Sequence, residues 1–158
     1  MRAQDVPLLY WTAASWGGAI SMSKNEPDLI ADLPKVEALI DRALALNESY
    51  NLGAIHSFLI TFEMSRTGGK GDPVARSREQ FDRAVQLSGG HMAAPFVAFA
   101  EAVSVQTQNS AEFNSLLERA LAIDPDAKPD YRLANLVLQR RARWLLTRTD
   151  ELFLQPGK

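Results

Sequence analysis

The residue types that most often carry chemistry are sparse in this sequence of 158 residues. It has no cysteine, which excludes disulfides, thiolate metal sites and cysteine nucleophiles. Its two histidines, His56 and His91, are too far apart to form a metal pair on one helix, and no serine stands in a G-x-S-x-G turn. Residues 68–72 (GGKGD) lack the spacing of a phosphate-binding loop. The sequence therefore predicts no enzyme, no metal ion and no cofactor.

A cluster of basic residues near the C-terminus is the strongest local signal. Residues 128–148 carry six basic side chains and one acidic one, whereas the whole chain has a net charge of −2. On a helix here, four polar side chains form one stripe: Arg132, Asn135, Gln139 and Arg143. Arg141 instead projects between Val137, Trp144 and Leu145.

Arginine presents a planar fork of donors that can hold a carboxylate through two hydrogen bonds. We therefore predict that Arg141 and the polar stripe contact a ligand carboxylate or an acidic partner. The alternatives are a solvated basic face for the stripe and an internal ion pair for Arg141. Trp144 shares a helical face with Leu133 and Val137, which predicts that the tryptophan lies in the core.

Glycine and proline divide the chain into segments in which apolar residues recur at helical spacing. Asp32 and Asp72 stand where N-caps belong, Pro73 suits a first helical position, and Asn109 with Glu112 resembles a capping box. Period-2 alternation is missing throughout, so the fold class is all-α. The predicted helices lie near 8–23, 33–47, 51–66, 73–88, 92–107, 110–123 and 130–153.

A short pattern occurs three times: IDRALAL, FDRAVQL and LERALAI, which begin at residues 40, 81 and 117. The starts are 41 and 36 residues apart, a spacing typical of a two-helix repeat. The repeat predicts tight packing at its shared alanine in each copy, and Gly53 would let neighbouring helices approach closely. We expect a TPR-like helical-repeat array of antiparallel helix pairs with a long C-terminal helix. A generic helical bundle is the alternative.

Phrases along nearly the whole chain resemble the T component of TRAP-type transporters, the TatT family of periplasmic tetratricopeptide-like proteins. They are WGGAI at 16–20 with Ser23 and Lys24, DLP at 32–34, RAL at 42–44, Tyr50, GAIH at 53–56, GG at 68–69, SGG at 88–90, NL at 135–136, QRRA at 139–142 and DELF at 150–153. From these phrases Trp16, Lys24, Tyr50 and His56 join the candidate binding residues. The residues around them also favour packed positions for Trp16 and His56.

The resemblance implies a non-enzymatic scaffold that is exported, often lipid-anchored, and paired with a periplasmic solute-binding protein. It also implies ring-like homo-oligomers and small apolar or carboxylate ligands. The family usually begins with an export signal and a lipidated cysteine, and this sequence shows neither. We therefore expect residues 1–158 to be a single TPR-like domain, the C-terminal portion of a longer periplasmic protein.

Two further functions remain as alternatives: a nucleic-acid-binding protein that uses the basic C-terminal helix, and an enzyme with an unrecognised site. Net basic charge and interleaved aromatics, which favour nucleic-acid binding, are missing, so no nucleic-acid partner is expected. No apolar run approaches the ~18 residues of a membrane span. The apolar opening segment 6–11 predicts cover by upstream residues or by another subunit.

Overall fold

The computed structural model describes residues 1–23, 25–66 and 68–154. The secondary structure of these ranges is helical, with turns and loops between the helices and no strand, so the all-α prediction is confirmed. The chain folds into two compact units, unit 1 (Met1–Asn51) and unit 2 (Leu52–Lys158). The helices are α1 (Val6–Met22), α2 (Pro27–Ile30), α3 (Leu33–Leu46), α4 (Ala54–Glu63), α5 (Pro73–Ser88), α6 (Ala94–Phe99), α7 (Ser110–Leu121), α8 (Arg132–Leu146) and α9 (Thr149–Leu152).

Unit 1 is built on the packing of α1 against α3. The side chains that α1 buries are all apolar: Val6, Leu9, Ala13 and Ile20. Those that α3 buries are apolar as well: Val36, Ile40 and Ala43. Burial of apolar surface therefore stabilises this helix pair.

Unit 2 packs its helices in sequence, α4 against α5 and α6, α6 against α7, and α7 against α8. The ring of Phe81 lies 5.5 Å from that of Phe96 and 5.2 Å from that of Phe99, between centroids. Such tilted and edge-on aromatic pairs add about 0.5–1.5 kcal/mol each beyond the burial of their area. The packing order is compatible with stacked helix pairs, and the TPR-like class stays a prediction.

The three repeat alanines, Ala43, Ala84 and Ala120, are all buried, as the repeat predicts. Gly53 has a φ of +87°, and a Cβ placed there would lie 3.3 Å from the α-carbon of Ala84 and 3.3 Å from the Cβ of Leu87. Glycine thus permits both a left-handed backbone and the close approach of α4 to α5. The predicted role of Gly53 is confirmed.

Two of the predicted helix caps form as expected. Asp72 accepts a hydrogen bond from the Ala75 N–H at 2.9 Å, and Asn109 accepts one from the Glu112 N–H at 3.1 Å. Asp32 differs, because its carboxylate binds the Nζ of Lys35 at 2.6 Å and makes no cap bond to the backbone.

The helices predicted for 51–66, 92–107 and 130–153 are longer than the helices observed there. The first of them becomes a short 3-10 segment, Tyr50–Leu52, followed by α4. The helix predicted for 92–107 becomes α6 followed by a π-helix, Ala100–Ser104. The helix predicted for 130–153 ends at Leu146, and α9 follows after a turn. The hydroxyl of Thr147 donates to the carbonyl of Trp144 at 2.7 Å, and that of Thr149 donates to the carbonyl of Leu146 at 3.0 Å. Side-chain donors thus bind the backbone carbonyls of the last turn of α8.

Candidate partner-binding face of the last long helix

The inner face of α8 contains two amides, Asn135 and Gln139, beside the apolar Ala142 and Leu145. The sequence placed both amides on a stripe offered to a ligand or partner, and the structure buries them instead. The stripe runs along the border between the inner and outer faces of α8, and the amides are on its inner side. Sequence periodicity alone could not tell which side of the border faces the core.

Each buried amide hydrogen-bonds to backbone groups of neighbouring segments. Asn135 accepts from the Ala93 N–H and donates to the His91 carbonyl, both at 2.9 Å. Gln139 Nε2 donates to the carbonyls of Ala120 and Ile123 at 3.1 and 2.7 Å. These bonds hold α8 against the end of α7 and against the segment that leads into α6, so the two residues position α8 within unit 2.

The outer face of α8 exposes three large apolar side chains. Leu133, Val137 and Trp144 are 76%, 58% and 46% exposed. The predicted core position of Trp144 is therefore wrong. An apolar row at helical spacing indicates a helix face that is buried either in the core or against a partner. The row itself does not tell a core face from a docking surface.

Trp144 lies between two arginines that are themselves held by carboxylates. The Cζ of Arg141 is 4.4 Å from the Trp144 ring centroid, and that of Arg148 is 5.3 Å from it, both within cation–π distance. Arg141 donates Nε and Nη2 to the Oε1 of Glu101 at 3.1 and 2.5 Å, and Arg148 pairs with Glu151 at 2.7 Å. The internal ion pair considered for Arg141 is thus present, and it orients the guanidinium on the indole.

The remaining arginines of α8 differ in how they are paired. Arg132 donates to Asp126 Oδ1 at 2.5 Å. Arg140 and Arg143 are exposed and make no ion pair within the described ranges. We call the set Leu133, Val137, Arg140, Arg141, Trp144 and Arg148 the α8 outer face.

One family model matches residues 1–153, nearly the whole chain, and its description is TRAP transporter T-component. The chain belongs to this family. An uncharacterized protein of Treponema pallidum (strain Nichols) is 28% identical to this chain over 150 residues, which cover 95% of this chain and 46% of that protein. The chain thus spans about half the length of that relative.

Membership confirms the resemblance predicted from the sequence. Among the residues that the structure describes, none of the helices has the length and apolar character needed to cross a membrane. The same residues hold no group of three or more metal-ligating side chains.

The other predicted binding residues of this chain are spread over both units. In unit 1, Trp16 is half-buried, and the distance from its ring centroid to the Nζ of Lys35 is 5.5 Å. Tyr50 packs on Tyr10, with 5.4 Å between the ring centroids. In unit 2, His56 is buried and hydrogen-bonded through Nδ1 to Gln80 Oε1 at 2.7 Å, which confirms its predicted packed position. Lys24 lies outside the described residues.

The sequence did not single out Glu101, Leu133, Val137, Arg140 or Arg148 as site residues. A signal for four of them was present, because Leu133, Val137, Arg140 and Trp144 share one helical face and Arg148 follows one turn later. Glu101 could not be found in this way, since it is 40 residues from the arginine that it binds.

Proposed function

We propose that this chain is a non-enzymatic helical scaffold of a TRAP-type transport system, and that the α8 outer face binds a periplasmic solute-binding protein. Family membership supports the transport role. The observation that carries the docking proposal is the exposed Trp144, held between two arginines that are paired with carboxylates.

Tryptophan and arginine are the residues that most often dominate the binding energy of protein interfaces. Trp144 is held in place before a partner arrives, because Glu101 and Glu151 fix the two arginines beside it. Such preorganisation lowers the entropy lost on binding. Leu133 and Val137 extend the apolar area along the helix.

The charge around this apolar area favours an acidic partner surface. α8 contains four arginines and no acidic residue, and Arg140 and Arg143 have no carboxylate partner among the described residues. Opposite charges at the rim of an interface raise the association rate and exclude wrong partners. We propose that the docking surface of the solute-binding protein is rich in Asp and Glu.

The proposal extends to where the protein works and to its other contacts. We place it in the periplasm, with a lipid anchor in the full-length protein, and we propose that it handles a small apolar or carboxylate ligand. We also propose self-association through the exposed, uncharged side of α1, where Leu8, Trp11 and Met22 lie. Trp16, Lys24, Tyr50 and His56 remain candidate contacts in this scheme.

The docking proposal is tested by calorimetric titration with the solute-binding protein of the same TRAP system. Reversing charge in the double variant Arg140→Glu, Arg143→Glu should weaken binding at least about tenfold, and more at low than at high salt. The matched control is Arg42→Glu in α3, an exposed arginine of unit 1, which should leave affinity unchanged. Equal affinity of the double variant and the parent would contradict the docking site.

The same double variant separates docking from nucleic-acid binding. If the arginines of α8 served a nucleic acid, the parent protein would retard duplex DNA or RNA at low salt and the double variant would not. That result, together with unchanged binding of the solute-binding protein, would replace the proposed function with the alternative.

A further inference from the structure

A cleft in unit 2 lies where the ends of α5 and α7 meet the segment that leads into α6. Its volume is about 430 Å³. This is within the range of roughly 300–1,000 Å³ typical of small-molecule sites. The cleft is distinct from the α8 outer face, because no residue of that face lines it. None of the residues predicted from the sequence to bind a ligand lines it either.

The walls combine an apolar surface with one cation that has no carboxylate partner. Val85, Phe96 and Ile123 line the apolar side, and Arg119 lies beside them. The Cζ of Arg119 is 4.7 Å from the centroid of the Phe96 ring. Within the described ranges Arg119 makes no hydrogen bond or ion pair, in contrast to Arg141, which is bound by Glu101. Its N–H donors are therefore available to an external acceptor.

Three backbone carbonyls at the helix ends beside the cleft, which would repel an anion, already accept hydrogen bonds. At the end of α5, the N–H of Gly90 binds the carbonyl of Val85 at 3.0 Å. At the end of α7, Gln139 Nε2 binds the carbonyls of Ala120 and Ile123. These bonds reduce the negative potential that helix C-termini otherwise present. The guanidinium of Arg119 is then the strongest charge on the apolar side.

The buried amides of α8 also fix the two sides of the cleft relative to each other. Asn135 binds the backbone of His91 and Ala93, beside one wall, and Gln139 binds the end of α7, which forms the other. A site held by such bonds loses little entropy when a ligand enters. Asp124 also contributes a carboxylate to the lining. It repels every negative charge on a ligand, so a dicarboxylate is disfavoured more than a monocarboxylate.

We propose that this cleft binds a small monocarboxylate with a short apolar chain, whose carboxylate pairs with Arg119 and whose chain lies against Val85, Phe96 and Ile123. The assignment rests on the proposed function, in which the protein handles a small ligand, and gives that ligand a place and a chemical class. Arg119 is the specificity-determining residue, because a guanidinium can hold both carboxylate oxygens. Asn135 and Gln139 are positioning residues.

The experiment is calorimetric titration of the full chain with hexanoate, hexanamide and adipate. We expect saturable binding of hexanoate, and binding of hexanamide weaker by about tenfold or more because it lacks the charge. Adipate should also bind more weakly than hexanoate, since its second carboxylate meets Asp124. Absence of saturable hexanoate binding at millimolar concentration would overturn the proposal, as would hexanamide binding equal to that of hexanoate.

Variants locate the site. Arg119→Met should weaken hexanoate binding about tenfold or more, and Arg119→Lys should weaken it less because the charge remains without the fork. Arg42→Met is the control, an exposed arginine of unit 1 that does not line the cleft, and should bind hexanoate like the parent. Arg119 is itself exposed, so these variants should keep the parent's melting temperature. Unchanged hexanoate affinity in Arg119→Met would overturn the assignment.

The two proposals fail separately. Arg119→Met should bind the solute-binding protein like the parent, and the Arg140→Glu, Arg143→Glu variant should bind hexanoate like the parent. If the protein bound the solute-binding protein but not hexanoate, the cleft proposal would be wrong and the docking proposal would stand. If it bound hexanoate but not the solute-binding protein, only the docking proposal would be wrong.

Discussion

Helices α1 and α8 each present an exposed tryptophan, and the surroundings of the two rings are opposite in character. Trp11 is 58% exposed on a helix that has no charged side chain, and Trp144 is 46% exposed on a helix with four arginines. The inner faces differ in the same way. α1 buries only apolar side chains, whereas α8 buries Asn135 and Gln139 with their hydrogen bonds.

The difference separates two kinds of contact. An uncharged apolar face matches another apolar surface, and nothing on it selects a partner by charge. The arginines of α8 favour an acidic surface and make binding depend on salt. On the inner side, directional hydrogen bonds fix the position of α8. The apolar contacts that hold α1 are not directional, so they constrain the position of that helix less.

The largest expected effect comes from the buried amide of α8. Asn135→Ala removes the partners of the Ala93 N–H and the His91 carbonyl, and should lower the free energy of unfolding by about 2–6 kcal/mol, since each of the two orphaned groups costs about 1–3 kcal/mol. Urea denaturation measures this loss of unfolding free energy. Leu133→Ala, on the outer face of the same helix, should change stability by no more than about 0.5 kcal/mol. Equal losses would show that the amide does not anchor α8.

Substitution of each tryptophan should affect a different binding assay. Trp144→Ala should weaken binding of the solute-binding protein by about 2 kcal/mol or more and leave self-association unchanged. Trp11→Ala should do the reverse, as measured by light scattering over a range of concentrations. If both variants affected the same assay, the separation between the two faces would be wrong.

The repeat alanines test a feature that the two regions share, which is a tightly packed alanine at a buried helix interface. Ala43 lies on α3, which packs against α1, and Ala120 lies on α7, which packs against α8. Leucine at either position should overpack a buried interface and lower stability by about 1–3 kcal/mol. Thermal denaturation of both variants checks this. A leucine tolerated at both sites without a lower melting temperature would refute the alignment of the repeats.

The smallest expected effect is the response of α1 to pH. Burial, and then the charge of Tyr50, raise the pKa of Tyr10 above its ordinary value of about 10. The folded state therefore favours the neutral phenol, so this stabilisation is complete below about pH 10 and is lost as pH rises through the raised pKa.

Tyr10→Phe tests that response. The substitution should remove the highest phenolate transition from an ultraviolet titration and reduce the loss of stability in alkali. A phenolate titration of the variant identical to that of the parent would contradict the assignment to Tyr10.

Local chemistry made the helices predictable, and distant packing decided how they end. Asp72 and Asn109 cap the helices that follow them because a cap needs only neighbours in sequence. The end of α8 was missed, because the chain turns after Leu146 and the Phe153 that follows packs on Phe113, 5.0 Å between ring centroids and 40 residues away in sequence. Periodicity has no access to such a contact.

For the candidate site, the sequence by itself determined its composition: a basic helix that carries a tryptophan. The family, too, was recognisable from phrases along the chain. Only the tertiary structure decided which side of α8 faces solvent, because that depends on what Asn135 and Gln139 bind. It also decided which arginines are paired, since a guanidinium is neutralised by carboxylates that the fold brings near, as Glu101 is brought to Arg141.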